Sequence, residues 1–175
     1  MARYRMPAHI VRHSLAVCAV ALYLTQGLVA KGFPLDPDLV RAGALLHDIT
    51  KVHSLQSPLD HALTGAKLVK KLGYPRIAVI VRQHVRLSRS RPRGRITETE
   101  VVNYADKRVV NDQVTTLADR LGYIRKRYGR NPEAAARIEK FSALAYRLEK
   151  EIFSVLPGEP GQLLNIDLEK EISAI

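Results

Sequence analysis

The sequence predicts an all-α fold. Apolar residues recur at the three- and four-residue spacing of helices over most of the 175 residues. Helix-start signals stand ahead of the apolar stripes at Asp36-Pro37, Thr97-Glu98-Thr99-Glu100 and Asn131-Pro132. No alternating strand run and no internal repeat occurs, so one helical domain is expected.

Taken in order, Pro7 opens a helix through His9, His13, Val17 and Val20 that stops near Gly27 or Gly32. Proline fits a helix's first turn and glycine ends it. Asp36-Pro37 starts a second helix, whose apolar residues lead into Leu46-His47-Asp48. A polar stretch from Lys51 to Pro58 breaks the pattern before a helix over Leu59 to Leu72. Gly73-Tyr74-Pro75 reads as a turn into a helix from Arg76 to Arg86, and Arg86 to Arg95 as a loop. Thr97 and Glu100 form a capping box for a helix carrying Val101, Val102, Ala105 and Val109. A further helix is expected from Val114 to Gly129. Asn131-Pro132 then caps a long amphipathic helix with Ile138, Phe141, Ala145, Leu148 and Ile152 on one stripe. The run Pro157 to Gly161 ends it, and a short helical turn is expected before Ile175.

Composition narrows the function classes. Hydrophobic residues at 46% and charged residues at 26% describe a globular chain and exclude a disordered or fibrous one. The single cysteine, Cys18, excludes an internal disulfide, so a cytoplasmic location is expected. Aromatics at 6%, with no tryptophan, argue against a base-stacking surface for single strands. The net charge of +11 implies an anionic partner without saying which kind. Ser14 to Ala30 is uncharged and follows Arg3, Arg5 and Arg12, as a signal peptide would be arranged. Its polar Ser14, Thr25 and Gln26, and a length under the roughly 20 residues of a spanning helix, favour a buried core helix, so no membrane association is expected.

The chemistry concentrates at His47-Asp48, which ends the apolar run Ala42 to Leu46. A carboxylate emerging from a buried helix is costly unless it is compensated, and a metal ion would compensate it. Neighbouring helical residues diverge by about 100°, so both can reach one ion only at a helix end. The break after Lys51 provides that end.

At these residues the chain resembles the HD-domain superfamily of metal-dependent phosphohydrolases, an all-helical family with ligands in the order His, His-Asp, Asp. The matching positions are His13, His47, Asp48 and Asp106 in Tyr104-Ala105-Asp106-Lys107. His61 and His84 match the two further histidines of the two-metal subset. The resemblance covers residues 7 to 110. It implies an HD domain, a single helical bundle, placed here over residues 1–128; the helices beyond its reach are not explained by it, and residues 129–175 are expected, from their amphipathic pattern, as a C-terminal helical extension packing on that domain or on a partner subunit of a homo-oligomer. It also implies that Asp48 bridges two ions, one held by His13, His47 and Asp106 and the other by His61 and His84. A mixed N and O donor set suits Fe, Mn, Zn, Ni or Co, one or two ions in all. Asp48 and Lys51 are the implied catalytic residues, because the lysine of His-Asp-x-x-Lys serves the phosphate in the hydrolase branch.

Other residues weigh less. His9 lies one turn before His13 and is expected at the surface or behind the ligands; His53 receives no role, and Cys18 is expected in the core. Arg86, Arg89, Arg91, Arg93 and Arg95 fall between two ligand-bearing helices, where guanidinium forks suit phosphate oxygens and where a solvated basic loop is the plainer use. Arg86 and Lys107 join Lys51 as expected substrate contacts, and Arg108 is a further candidate. Gly73-Tyr74-Pro75 matches the name of a cyclic-dinucleotide phosphodiesterase branch, but no His-Glu accompanies it, so it reads as a turn. The expected substrate is a small phosphorylated anion, a nucleotide or related phosphoester. The alternatives are a di-iron oxygenase of the same superfamily acting on a polyol or phosphonate, and a basic nucleic-acid-binding or signalling module with a structural metal. Lys51 favours hydrolysis over oxygenation, and the complete ligand set argues against the third.

Overall fold

A computed structural model describes residues 4, 6–52, 60–87 and 95–175. Eight α-helices among these residues form one bundle: α1 (Ala8–Ala30), α2 (Pro37–Leu46), α3 (His61–Lys71), α4 (Pro75–Gln83), α5 (Glu98–Asp106), α6 (Leu117–Tyr128), α7 (Pro132–Phe153) and α8 (Leu168–Ser173). The fold is all-α, as expected, with one small addition. Strands β1 (Val109–Val110) and β2 (Gln113–Val114) pair antiparallel as a hairpin between α5 and α6. Val109 was expected in a helix and Val114 at the start of one. The helix stops instead at Asp106, because Asn111 takes the left-handed conformation (φ 55°) that a two-residue hairpin turn needs and that asparagine tolerates. Two-residue strands carry no alternation for a sequence pattern to reveal.

The helix starts follow their local chemistry. Asp36 caps α2 by accepting from the Leu39 N–H, and Asp60 caps α3 at the Ala62 and Leu63 N–H groups. The Thr97–Glu100 capping box forms in both directions, and Asn131 caps α7 at the Ala134 N–H. Gly73, at φ 92°, makes the turn between α3 and α4.

The long apolar helix α1 is the centre of the main core. It passes a length and hydropathy test for a membrane span, yet 67% of its most apolar window is buried inside the bundle. Val17, Cys18, Val20, Leu24 and Leu28 are fully buried against α2, α5 and the C-terminal helices. Burial pushes the Cys18 thiol up to about 12, as befits an inert core residue. A second, smaller cluster joins Ile49 to Ala66, Val69, Ala78 and Val81 under α3 and α4. The turn bearing His47 and Asp48 runs from one cluster to the other, with Ala44 in the first and Ile49 in the second.

Two glycines set how closely the helices approach. A β-carbon on Gly43 would lie 2.7 Å from Ile80 Cγ2, so α2 and α4 meet at a distance no larger residue permits. One on Gly65 would meet Val81 at 3.0 Å and the Thr50 hydroxyl at 3.2 Å. These approaches bring the ends of α2, α3 and α4 together.

Residues 129–175 pack on the same core, with Leu148, Ile152 and Leu163 fully buried in it. A buried arginine clamps them. Arg108, 1% exposed, donates from Nε to Thr115 O (2.8 Å), from Nη1 to the Tyr104 hydroxyl (2.6 Å) and from Nη2 to Pro160 O (3.0 Å). Its Nη1 also lies 3.4 Å from Glu149 of α7, to which Tyr104 donates at 2.6 Å. Arg108 was a candidate for phosphate contact or for orienting ligands; every nitrogen of its fork is instead engaged in holding α5, the hairpin and the C-terminal segment together. Arg108→Met should lower unfolding free energy by about 3 to 5 kcal/mol, since it leaves the Glu149 carboxylate without its cation. A urea titration followed by circular dichroism checks this, and an unchanged midpoint would show that the clamp is dispensable.

Candidate metal centre

Four histidines and two carboxylates converge from α1, the end of α2, α3, α4 and α5. His13 comes from the first half of α1. His47 is the C-cap of α2, with Asp48 next to it, so both leave the helix where its backbone opens. His61 is the first residue of α3, His84 is the C-cap of α4, and Asp106 is the last residue of α5. Ligands at helix ends can approach one point without their helices colliding.

The six side chains form two halves that share Asp48. In one, His13 Nε2 and His47 Nε2 lie 3.2 and 3.7 Å from Asp106 Oδ1, and His47 Nε2 is 3.5 Å from Asp48 Oδ2. In the other, His61 Nε2 and His84 Nε2 each lie 3.4 Å from Asp48 Oδ1 and 3.2 Å from one another. Each carboxylate oxygen of Asp48 thus faces a different half. The groups His13–His47–Asp48 and Asp48–His61–His84 each keep their donor atoms within 4.8 Å of one another. The rings of His13, His47, His84 and His61 follow one another with centroids 5.3, 4.9 and 5.1 Å apart.

The donor set fits metal ions. Two ligands on one ion, each about 2.0–2.2 Å from it, sit roughly 3–3.6 Å apart, close to the spacing found here. Three of the histidines are oriented by main-chain carbonyls: His13 Nδ1 donates to Asn111 O (2.7 Å), His47 Nδ1 to Ala44 O (2.6 Å) and His84 Nδ1 to Val81 O (2.7 Å). An Nδ1 that donates to a carbonyl leaves Nε2 with its lone pair toward the centre, as metal ligation requires. His47 Nε2 is buried with no hydrogen-bond partner among the described residues, which an ion would satisfy.

Electrostatics agree. Burial works against ionised Asp48 and Asp106, yet His47 beside the first, and His13 and Arg120 beside the second, hold both carboxyls well below the usual range. Burial likewise opposes a charged His47, and the Asp48 and Asp106 carboxylates reverse that, raising its pKa overall. Burial brings His61 down to about 4, keeping its ring neutral at neutral pH. Lys51 donates to both oxygens of Asp48, at 2.9 and 3.2 Å; burial disfavours its charge, but Asp48 and Asp106 outweigh this and raise its pKa.

Not every expected contact lies where substrate would meet it. Lys107 is 3% exposed, and its ammonium donates to His84 O (3.0 Å) and Asn103 O (3.1 Å). It braces the end of α4 from behind rather than facing a ligand, and burial lowers its pKa to about 8. Arg86 is exposed two residues beyond His84, and His9 is exposed one turn before His13. His53, Leu59, Arg89, Arg91 and Arg93 lie outside the described residues.

Four residues near the site escaped the sequence reading. Asn103 donates to Gln83 O (2.9 Å) and His84 O (2.8 Å), tying α5 to the end of α4. Thr50 donates to His61 O at 2.8 Å, fixing the start of α3 against the His-Asp turn. Asn111 presents its carbonyl to His13 from the hairpin, which the Arg12–Asp112 pair (3.0 Å) anchors to α1. Arg120 of α6 approaches Asp106. The three-residue step from Asn103 to Asp106, one helical turn, was the one visible signal; the others depend on long-range packing.

Comparison with known proteins gives a consistent picture. The family described as HD domain matches residues 10–124. An uncharacterized protein of Methanocaldococcus jannaschii is 28% identical over 143 residues, 74% of this chain and 83% of its own. Ribonuclease Y of Acidothermus cellulolyticus is 37% identical over 73 residues, 41% of this chain and 14% of that enzyme. A tRNA (cytidine(56)-2'-O)-methyltransferase of Picrophilus torridus is 40% identical over 76 residues, 43% of this chain and 20% of its own. No solved structure matches the chain.

In metal-free protein the His61 ring should titrate near pH 4 rather than near 6.5. Proton NMR of the imidazole signals, assigned with His61→Gln, reads this directly. A midpoint near 6.5 would mean that the ring is solvated rather than held in the cluster.

Proposed function

The chain belongs to the HD-domain family, a superfamily of metal-dependent phosphohydrolases, and from that premise we propose that it hydrolyses a nucleotide or related phosphoester at a two-metal centre. The observation that carries this reading is the sharing of the Asp48 carboxylate between two sets of ligands, with Lys51 upon it. His13, His47 and Asp106 would hold one divalent ion, and His61 and His84 a second, with Asp48 common to both. Such ions polarise phosphoryl oxygens and lower the pKa of a bound water, so that hydroxide is available near neutral pH.

The protein's own groups supply the rest. The carbonyls of Asn111, Ala44 and Val81 keep three imidazoles in the ligating tautomer and orientation. Lys51, charged and partly exposed, is the group through which charge developing on a phosphoryl oxygen or leaving group would be met. Arg86, exposed beyond His84, would extend contact along the substrate. A nucleotide substrate is supported by the net charge of +11 and by two relatives whose names concern RNA. Lys51 is also what favours hydrolysis over the oxygenase chemistry of the same superfamily, and the lone buried cysteine agrees with a cytoplasmic enzyme.

Elemental analysis of the purified protein should find one or two transition ions per chain, and His47→Ala and Asp48→Ala should each lose them. A wild type without metal, indistinguishable from both variants, would remove the metal centre.

Screening for hydrolysis, by phosphate release from nucleotides and by chromatographic separation of the nucleotide products of dinucleoside polyphosphates and cyclic nucleotides, with Mn, Ni, Co and Fe should give turnover. Lys51→Met should then lower kcat about 100-fold at unchanged metal content. Absence of hydrolysis of every substrate, together with oxygen consumption on a polyol or phosphonate, would favour the oxygenase instead.

A further inference from the structure

The two arginines nearest the last ligand are in opposite states. Arg108 has an acceptor for each nitrogen of its fork. Arg120, on α6, has none within hydrogen-bonding distance among the described residues. Its Nε is buried and unpartnered, and its nearest carboxylate contact is Nη2 to Asp106 Oδ1 at 3.9 Å, a Coulombic approach only. The side chain is 16% exposed and lies over the Tyr123 ring, 5.8 Å from its centroid. A buried Nε–H without an acceptor is costly to keep, and packing alone would be served by a neutral side chain.

Position gives the donors a purpose. Arg120 stands beside Asp106 in the His13–His47–Asp106 half of the centre, while Lys51 sits on the shared Asp48, 2.9 and 3.2 Å from its two oxygens. Each cation lies against a carboxylate of the centre, Lys51 Nζ 2.9 Å from Asp48 Oδ2 and Arg120 Nη2 3.9 Å from Asp106 Oδ1. Once divalent ions take up the charge of Asp48 and Asp106, the flanking cations would favour an anion joining them.

We propose that Arg120 is a substrate-binding residue that receives phosphoryl oxygens from the Asp106 side of the centre. The inference rests on the phosphohydrolase reading above and adds to it a contact from α6, beyond the last ligand. A planar fork can take two oxygens at once, which a lysine at this position could not do.

Calorimetric titration of inorganic phosphate into metal-loaded protein tests the assignment without requiring turnover. Arg120→Gln should weaken phosphate about 10- to 100-fold while metal content and melting temperature stay at wild-type values. Arg120→Lys, which keeps the charge and loses the fork, should fall between the two and serves on its own if the glutamine variant does not fold. Wild-type phosphate affinity in both variants would overturn the assignment and leave the phosphohydrolase reading standing. Loss of metal along with phosphate would also overturn it, making Arg120 a positioning residue for Asp106. Failure of the metal-loaded wild type to bind phosphate would overturn this inference and the reading beneath it together.

Discussion

The structure depends on burying the Asp48 carboxylate, which is 1% exposed at the end of a helix whose neighbours are apolar. An isolated carboxylate in such surroundings would take up a proton rather than stay charged. Here His47, His61, His84 and Lys51 all lie within 3.5 Å of its oxygens. The three histidines are in turn tied down, His47 and His84 by main-chain carbonyls and His61 at the start of its helix. The requirement therefore spreads outward from one side chain through five elements of the bundle.

Close approach is the means by which the bundle meets it. Without a β-carbon at Gly43, Ile80 can press against α2, and the C-caps of α2 and α4 deliver His47 and His84 with ring centroids 4.9 Å apart. Gly65 lets α3 approach Val81 and Thr50, and the Thr50 hydroxyl holds the backbone of His61. Behind α4, Asn103 and Lys107 occupy carbonyls that the helix end leaves without partners, so α5 fixes the pose of His84 as well as contributing Asp106. The C-terminal segment acts one layer further out, where Glu149 and Pro160 close on Arg108 and thereby on the end of α5.

Charge is distributed to the same end. The net charge of +11 is a property of the whole chain, but the cations near the centre divide by how they are satisfied. Arg108 and Lys107 are consumed by the fold. Lys51 contacts Asp48 and Arg120 approaches Asp106, so binding of divalent ions would shift the local balance from paired to positive. An anion with several oxygens would complement that state.

Five of the six candidate ligands sit at helix boundaries that local chemistry announces, whereas His13 lies inside α1, and the set as a whole was legible through its resemblance to the HD-domain pattern. Asp60 caps the helix that His61 opens, Tyr74-Pro75 starts the one that His84 ends, and the Thr97–Glu100 box begins the one that Asp106 closes. The all-α fold was legible for the same reason, since periodicity and capping are local. Tertiary structure alone decided which basic residues meet the centre. Nothing local separates Lys107 and Arg108, adjacent to a ligand yet turned into the protein, from Arg120, which lies fourteen positions beyond Asp106 and returns to it. The hairpin that orients His13 was hidden too, because two-residue strands carry no period. Which side of a helix is buried can be read from its own residues, but which partner waits on that side depends on packing between segments far apart in the chain.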